Sequence, residues 1–389
     1  MKRFGCCLAA LLLILGMVLS SLGVTAGAVD LKIGAKSALL MDMATGKVLY
    51  EQNAHEKLAP ASVTKVMTML LIMEAIDSGR IGWNDTVTAS ETAAAKGGSQ
   101  IYLKVGETMS VADMVKSIAV SSANDCACAM AEHIAGSESA FVDAMNQRAK
   151  ELGMNDTHFV NCTGLDDDPN AKEHLTCAYD IALMSRELML HHPDIKKYTT
   201  IWMDTVRNGE FGLSNTNKLV RFYSGATGLK TGFTSSAGYC LSATAQREGM
   251  ELIAVVMGCE TSQERFAGCK AMLDHGFATY AVVTPALDEQ LHVPVELGKE
   301  NTVSAVPGES VPILIEKAQK NQISTQISLE PSVPAPVSKG QRLGTMTVKS
   351  GEQVLQQIPL VADRGIGKLS WGDLFLMVLG RAAMAKQGS

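Results

Sequence analysis

Along residues 36–52 apolar positions alternate and break once at Ala44-Thr45-Gly46, which predicts a β-hairpin with arms at 38–43 and 47–50. Beyond Pro60 and Ala61 the period changes. Val66, Met67, Leu70, Ile72 and Met73 predict a helix that is apolar nearly all round, and such a helix is a buried one. Residues 111–135 predict a second helical region interrupted by Ser121-Ser122-Ala123-Asn124, and 138–152 and 178–190 predict two more helices. Two β-rich runs, 239–246 and 251–258, flank a turn at Arg247-Glu248-Gly249-Met250, and 265–280 predicts a closing helix. Strands at both ends with helices between predict an α+β arrangement, the end strands meeting in one antiparallel sheet backed by a helical cluster.

The pattern shifts at Pro285. Short alternating runs at 323–329, 343–348 and 354–360, punctuated by Pro, Gly and Ser most densely at 331–340, predict a small all-β domain. From Ser370 to Lys386 the period is helical again. Ser370 and Asp373 form a plausible capping box, and Trp371, Leu374, Phe375, Met377, Val378, Leu379 and Met384 make one side apolar. At roughly 17 residues this amphipathic helix is short for spanning a bilayer and suited to lying on its surface. The N-terminus has the form of a secretory signal: Lys2 and Arg3, an apolar run at 8–19, then Ala26-Gly27-Ala28 as the cleavage site. The expected organisation is signal peptide 1–28, main domain 29–284, β domain 285–365 and anchoring helix 366–389. The mature protein is expected on the outer face of the cytoplasmic membrane.

Composition narrows the function. A chain of 389 residues, 47% hydrophobic, can bury a large core, and a net charge of −6 without a basic stripe argues against nucleic-acid binding. Beyond the signal stand seven cysteines: Cys126, Cys128, Cys162, Cys177, Cys240, Cys259 and Cys269. That number is odd, and Cys126 and Cys128 point in different directions on one helix, so buried free thiols are expected rather than a disulfide framework. The eight histidines are scattered without ligand spacing, so neither a metal nor a cofactor is expected.

Three strings carry the candidate chemistry, and each pattern occurs once: Ser62-Val63-Thr64-Lys65, Ser122-Ala123-Asn124 and Lys230-Thr231-Gly232. A serine hydroxyl needs a base, and on a helix Ser62 and Lys65, three apart, share one face. An apolar setting, the positive end of the helix dipole and a nearby Lys230 all favour a neutral Lys65 amine that can accept a proton. Ser122 is placed to relay that proton, while Asn124 would hold a substrate amide and orient Lys65. Lys230 and Thr231 suit a terminal carboxylate, and Gly232 lets a ligand approach the backbone closely. Backbone N–H groups of Ser62 and Phe233 are the expected oxyanion donors. Lys349-Ser350-Gly351 fits the third pattern loosely but lies between two alternating runs, where a hairpin turn is expected. His174, near the Ω-like loop 161–173, is expected to be structural.

With these residues the chain resembles the low-molecular-mass penicillin-binding proteins that are serine-type D-Ala-D-Ala carboxypeptidases. The resemblance runs from Pro60-Ala61-Ser62-Val63-Thr64-Lys65 and Ser122-Ala123-Asn124-Asp125 through Thr163-Gly164-Leu165-Asp166 and His174 to Gly228-Leu229-Lys230-Thr231-Gly232-Phe233-Thr234. Ala335-Pro336-Val337-Ser338-Lys339-Gly340-Gln341 and the tail are similar to the family's β domain and membrane anchor. The resemblance implies a β-lactamase-like transpeptidase fold, Ser62 as acyl-ester nucleophile, Lys65 as proton acceptor, Ser122 as third catalytic residue and Lys230 as a substrate-binding residue. It implies removal of the terminal D-Ala from peptidoglycan stem pentapeptides, and acylation of Ser62 by β-lactams. Thr216 departs from relatives that carry a carboxylate-binding Arg there. A class A β-lactamase would need a glutamate on the Ω-like loop, where this chain has Asp166, Asp167 and Asp168 and no E-x-x-x-N pattern. A non-catalytic peptidoglycan-binding relative would have no need of Lys65.

Overall fold

The computed structural model describes residues 31–376, apart from 168, 286, 288–289 and 309–311. The expected signal segment and Asp168 lie outside the described residues, as does the tail beyond 376. The chain divides into residues 1–33 and 34–389, and the architecture below is that of the second.

The predicted hairpin forms as β1 (Ser37–Asp42) and β2 (Val48–Gln52), which continue into a sheet with β3 (Ala226–Thr234), β4 (Gly238–Arg247) and β5 (Met250–Cys259). The order is β2-β1-β5-β4-β3, antiparallel throughout, with Leu40 opposite Ala254 and Lys230 opposite Ser242. The two ends of the domain therefore meet at β1 and β5, as the strand distribution predicts. Strand β3 is an edge, which leaves one side of its backbone free to pair with an extended ligand.

Six longer helices flank the sheet: α1 (Lys65–Asp77), α2 (Val111–Ser121), α3 (Asn124–Ala135), α4 (Glu138–Glu151), α5 (Ala178–His191) and α6 (Ser262–Thr279). In α1 every residue except Glu74, Ile76 and Asp77 is buried, because α2 to α5 surround it. Helix α5 packs on one face of the sheet, where Ser185 and Ser242 hydroxyls bond at 2.8 Å. Helix α6 packs on the other, where the Cys269 thiol meets the Leu241 and Ala254 carbonyls. Both faces of β4 and β5 are covered, so their apolar runs are nearly continuous rather than alternating.

Helix α6 starts three residues earlier than its apolar period indicates. Thr261 and Glu264 close a capping box around Ser262 and Gln263, and polar first-turn residues carry no periodic signal. All seven cysteines are buried and free.

Beyond α6 the chain forms β6 (Tyr280–Val283), β7 (Leu291–Glu296), β8 (Thr302–Pro307), β9 (Ile313–Glu316), β10 (Ile323–Leu329), β11 (Val333–Pro334), β12 (Arg342–Ser350) and β13 (Gln353–Ala362). Six of them make a sheet ordered β10-β12-β13-β8-β7-β11, with its own apolar core around Val303, Leu343, Met346 and Leu360. Strand β6 pairs with β9, so the chain is tied to this region upstream of the composition shift at Pro285. Lys349 and Ser350 close β12, and Gly351, at φ +56°, opens the hairpin turn into β13. At Ser370 the expected cap forms: its hydroxyl accepts from Asp373 N at 3.2 Å, and the Asp373 carboxylate accepts from Ser370 N at 2.8 Å. Among the described residues no helix is long and apolar enough to cross a membrane.

Candidate active site

The nucleophile candidate sits on a tighter turn than its spacing predicts. Ala61–Thr64 form a 3-10 turn, and the α-helix proper begins at Lys65. Ser62 and Lys65 still share a face, because i and i+3 eclipse in a 3-10 turn. Lys65 Nζ lies 2.9 Å from Ser62 Oγ and also donates to Thr163 O at 2.8 Å. As an ammonium it donates to the serine; once neutral, its lone pair can take the serine proton. Lys65 is fully buried, and burial brings its amine down to about 7, against the opposing pull of Cys162 and Asp125. Thus desolvation is the main reason for a neutral base. The expectation that Asn124 orients Lys65 is corrected, because that partner is the Thr163 carbonyl.

Ser122 ends α2 in the left-handed region, at φ +63°, where a non-glycine residue is strained. Its hydroxyl is buried and has no hydrogen-bond partner among the described residues. Asn124 opens α3 and donates from Nδ2 to Gly97 O at 2.7 Å, which leaves Oδ1 unpartnered among the described residues. An unsatisfied buried hydroxyl and amide oxygen each cost about 1–3 kcal/mol, and a substrate amide or amine removes that cost. Asp125 is satisfied by the backbone N–H groups of Ile101, Leu103 and Cys126, which fastens the neighbouring loop to α3.

Lys230, Thr231 and Gly232 lie on β3. A Cβ at Gly232 would stand 2.6 Å from Pro60 O and 3.1 Å from Ser62 N. The glycine therefore also lets the protein's own nucleophile turn close against β3. Arg265 on α6 braces the same strand from behind, donating to Gly232 O at 3.0 Å. Lys230 donates to Thr231 O at 2.9 Å. Burial, then the charges of Lys65 and Arg265, push its amine well below the usual lysine range. Two ammonium groups side by side are therefore unfavourable.

Thr231 Oγ1 donates to Thr216 Oγ1 at 2.6 Å, and Thr216 N donates to Val120 O at 3.2 Å. Position 216 thus bridges the third motif and the end of α2, the place from which a longer residue would reach the cleft. Phe233 follows on β3, half-exposed, with its ring 4.3 Å from that of Tyr239.

Two supporting features escape single-motif reasoning. His174 Nδ1 accepts from Val160 N at 3.0 Å, so Nε2 carries the ring proton toward Thr64 Oγ1, 2.8 Å away. Thr64 in turn donates to Ala61 O at 2.8 Å, which ties the nucleophile turn to the Ω-like loop. Gly164, at φ +81°, lets that loop cross directly over Ala61. The arrangement offers a hydroxyl nucleophile, an amine near neutrality, a second hydroxyl and an edge strand bearing a second buried amine, which together suit acyl transfer from a peptide carrying a carboxylate.

Comparison with known proteins gives the family. A family described as D-alanyl-D-alanine carboxypeptidase matches residues 24–261, and the C-terminal domain of penicillin-binding protein 5 matches residues 286–368. The D-alanyl-D-alanine carboxypeptidase DacF of Bacillus subtilis is 45% identical over 340 residues, covering 86% of each chain. DacC of Escherichia coli is 35% identical, covering 86% of this chain and 84% of its own. Among solved structures, penicillin-binding protein 5 of Haemophilus influenzae superposes with a TM-score of 0.72 at 30% identity, over 86% of this chain and 98% of that one. Penicillin-binding protein D2 of Listeria monocytogenes, in an ampicillin-bound form, superposes with a TM-score of 0.55 at 32% identity, over 63% and 98%.

Proposed function

This chain belongs to the D-alanyl-D-alanine carboxypeptidase family of serine peptidases, and from that premise we propose that its chemistry runs on Ser62, Lys65, Ser122 and Lys230. It is a serine-type D-alanyl-D-alanine carboxypeptidase of the cell envelope that takes peptidoglycan stem peptides ending in D-Ala-D-Ala and is acylated by β-lactams. The observation that carries the assignment of roles is the 2.9 Å contact between Ser62 Oγ and a buried Lys65 amine held near neutrality.

Neutral Lys65 takes the Ser62 proton as Oγ attacks the carbonyl between the two D-alanines. The resulting oxyanion is held by the N–H groups of Ser62 and Phe233. Ser122 relays the proton from Lys65 to the departing D-alanine amine, which leaves the acyl group on Ser62. Water then attacks that ester, giving its proton to Lys65, which passes it to Ser62 Oγ as the ester bond breaks, so that both groups return to their starting forms. Throughout, Lys230 and Thr231 hold the terminal carboxylate, with Thr216 supporting Thr231. A neutral Lys65 and a protonated Lys230 divide one proton between two amines, each in the form its task requires.

The test is D-alanine release from a stem pentapeptide as a function of pH. Because only the neutral amine is a base, protonating Lys65 stops the reaction, so kcat/KM rises with pH through about 7. From about pH 8 down to about pH 5 it should fall on the order of a hundredfold. A flat profile over that window would remove Lys65 from the role of base.

Membrane attachment rests on the tail. Trp371, Phe375 and Leu376 are 89%, 66% and 67% exposed on the described start of the helix, an apolar display suited to a lipid interface. Export through residues 1–28 would place the enzyme on the outer face of the cytoplasmic membrane. Deleting the residues after Lys368 is expected to move the protein from the membrane fraction to the soluble fraction with D-alanine release unchanged. Retention in the membrane fraction would show that the tail is not the anchor.

A further inference from the structure

Far from the cleft motifs, the fold gathers one imidazole, one carboxylate and one thiol that the sequence keeps apart. We propose that His55, Asp156 and Cys177 form a binding site for a divalent metal of the zinc class. His55 Nδ1 lies 3.1 Å from Asp156 Oδ2, and Cys177 Sγ lies 3.8 Å from the same oxygen. All three donor atoms fall within 4.8 Å of one another.

These lengths fit the edges of a coordination tetrahedron. With metal–N and metal–O bonds of about 2.0–2.1 Å and metal–S of about 2.3 Å, the N–O edge is about 3.3 Å. The edges to sulfur are about 3.5 Å. Closing the remaining thiol-to-imidazole edge asks only for a small swing of His55, whose side chain is 61% exposed. The donor set itself selects zinc-like ions, because a thiolate and an imidazole are poor ligands for magnesium or calcium. His55 also borders a surface concavity lined by Glu51, Asn53, Ala54 and Glu56.

The surroundings hold the donors in place, as second partners do in metal sites. Asp156 N donates to Asp180 Oδ2 at 2.9 Å, and the His55 ring lies 4.9 Å from that of Tyr179. Lys57 Nζ sits 3.5 Å from Asp156 Oδ1, the carboxylate oxygen not used by the other two donors. Cys177 caps α5, accepting from Asp180 N at 3.4 Å, and burial keeps it a thiol until a metal displaces the proton. A charge of +2 against one thiolate and one carboxylate leaves the bound cluster neutral. One proton departs when the thiol becomes a ligand.

A metal here would act as a clamp. Leu58 and Thr176 pair through both backbone hydrogen bonds, at 2.8 and 2.9 Å, between His55 and Cys177 on one side and Pro60 on the other. Joining His55 to Cys177 therefore fastens the segment that leads into the nucleophile turn.

The experiment uses the purified full chain, stripped with a chelator and titrated with cobalt(II). One equivalent should bind and give a thiolate-to-cobalt charge-transfer band, which one equivalent of zinc then abolishes. Cys177→Ser keeps a good helix cap and should lose the band. His55→Ala, a change at an exposed side chain, should weaken cobalt binding about tenfold or more. Thermal unfolding of each stripped variant checks that it is folded. The proposal is overturned if no charge-transfer band forms, if the band survives in Cys177→Ser, or if His55→Ala binds cobalt as tightly as the parent.

Discussion

Ser62→Ala is expected to abolish both D-alanine release and covalent labelling by a fluorescent penicillin. The two readouts share one atom, because the acyl group in each case is carried by Ser62 Oγ. Among the described residues, Ser62 Oγ is the side-chain hydroxyl hydrogen-bonded to the Lys65 amine. Removing a nucleophile from a catalytic serine unit lowers kcat on the order of 10⁵-fold to 10⁶-fold. Stability should hardly change, within about 1 kcal/mol, because Ser62 is only partly buried and Lys65 keeps its bond to Thr163 O. Penicillin labelling at undiminished stoichiometry in Ser62→Ala would place the nucleophile elsewhere.

Among the described glycines, Gly164→Ala brings the added methyl group closest to the protein's own backbone and should be strongly damaging. The added Cβ would lie 1.9 Å from Ala61 O, 2.4 Å from Ala61 C and 2.7 Å from Thr64 Oγ1. The first two are backbone atoms, so no rotamer change relieves the clash. Its φ of +81° adds about 1–2 kcal/mol of left-handed strain for any residue with a Cβ. Overpacking of this kind adds about 1–3 kcal/mol more. The loop has to lift from the nucleophile turn, carrying Thr163 O away from Lys65 Nζ. A displacement of about 1 Å at such a contact costs about a hundredfold in rate. The check is a pair of measurements, thermal unfolding and D-alanine release, with Gly153→Ala as control. Gly153 has a similar φ of +75° but nothing within 4 Å of its missing Cβ. It should therefore show the conformational strain without the loss of rate. Equal effects at the two positions would mean that the loop crossing does not govern the site.

Much of the fold was legible because its signals are local. The hairpin at 36–52, the all-apolar α1 and the β4–β5 pair are each written in periods of two or 3.6 residues, and they formed where those periods place them. Misreadings occurred where local pattern is silent. The polar first turn of α6 hid its start, and the 3-10 turn at Ala61–Thr64 differs from a helix by one hydrogen-bond register that spacing does not encode. At Gly232 the sequence cannot say that the protein's own backbone, Pro60 O and Ser62 N, also comes near.

By itself, then, the sequence determined the chemistry: a serine and a lysine three apart, an S-x-N at a break between helices, and a K-T-G before a β run. Those facts depend on covalent spacing and on side-chain identity. The tertiary structure decided everything that depends on which distant groups share a volume. It supplied the burial that brings Lys65 to about 7, the Thr163 carbonyl as its second partner, and His174 as the tie to Thr64. It also brought His55 to within 3.1 Å of a carboxylate 101 positions away, where no motif spacing could have pointed. Desolvation and donor geometry are properties of packing, and packing is set by the whole chain at once.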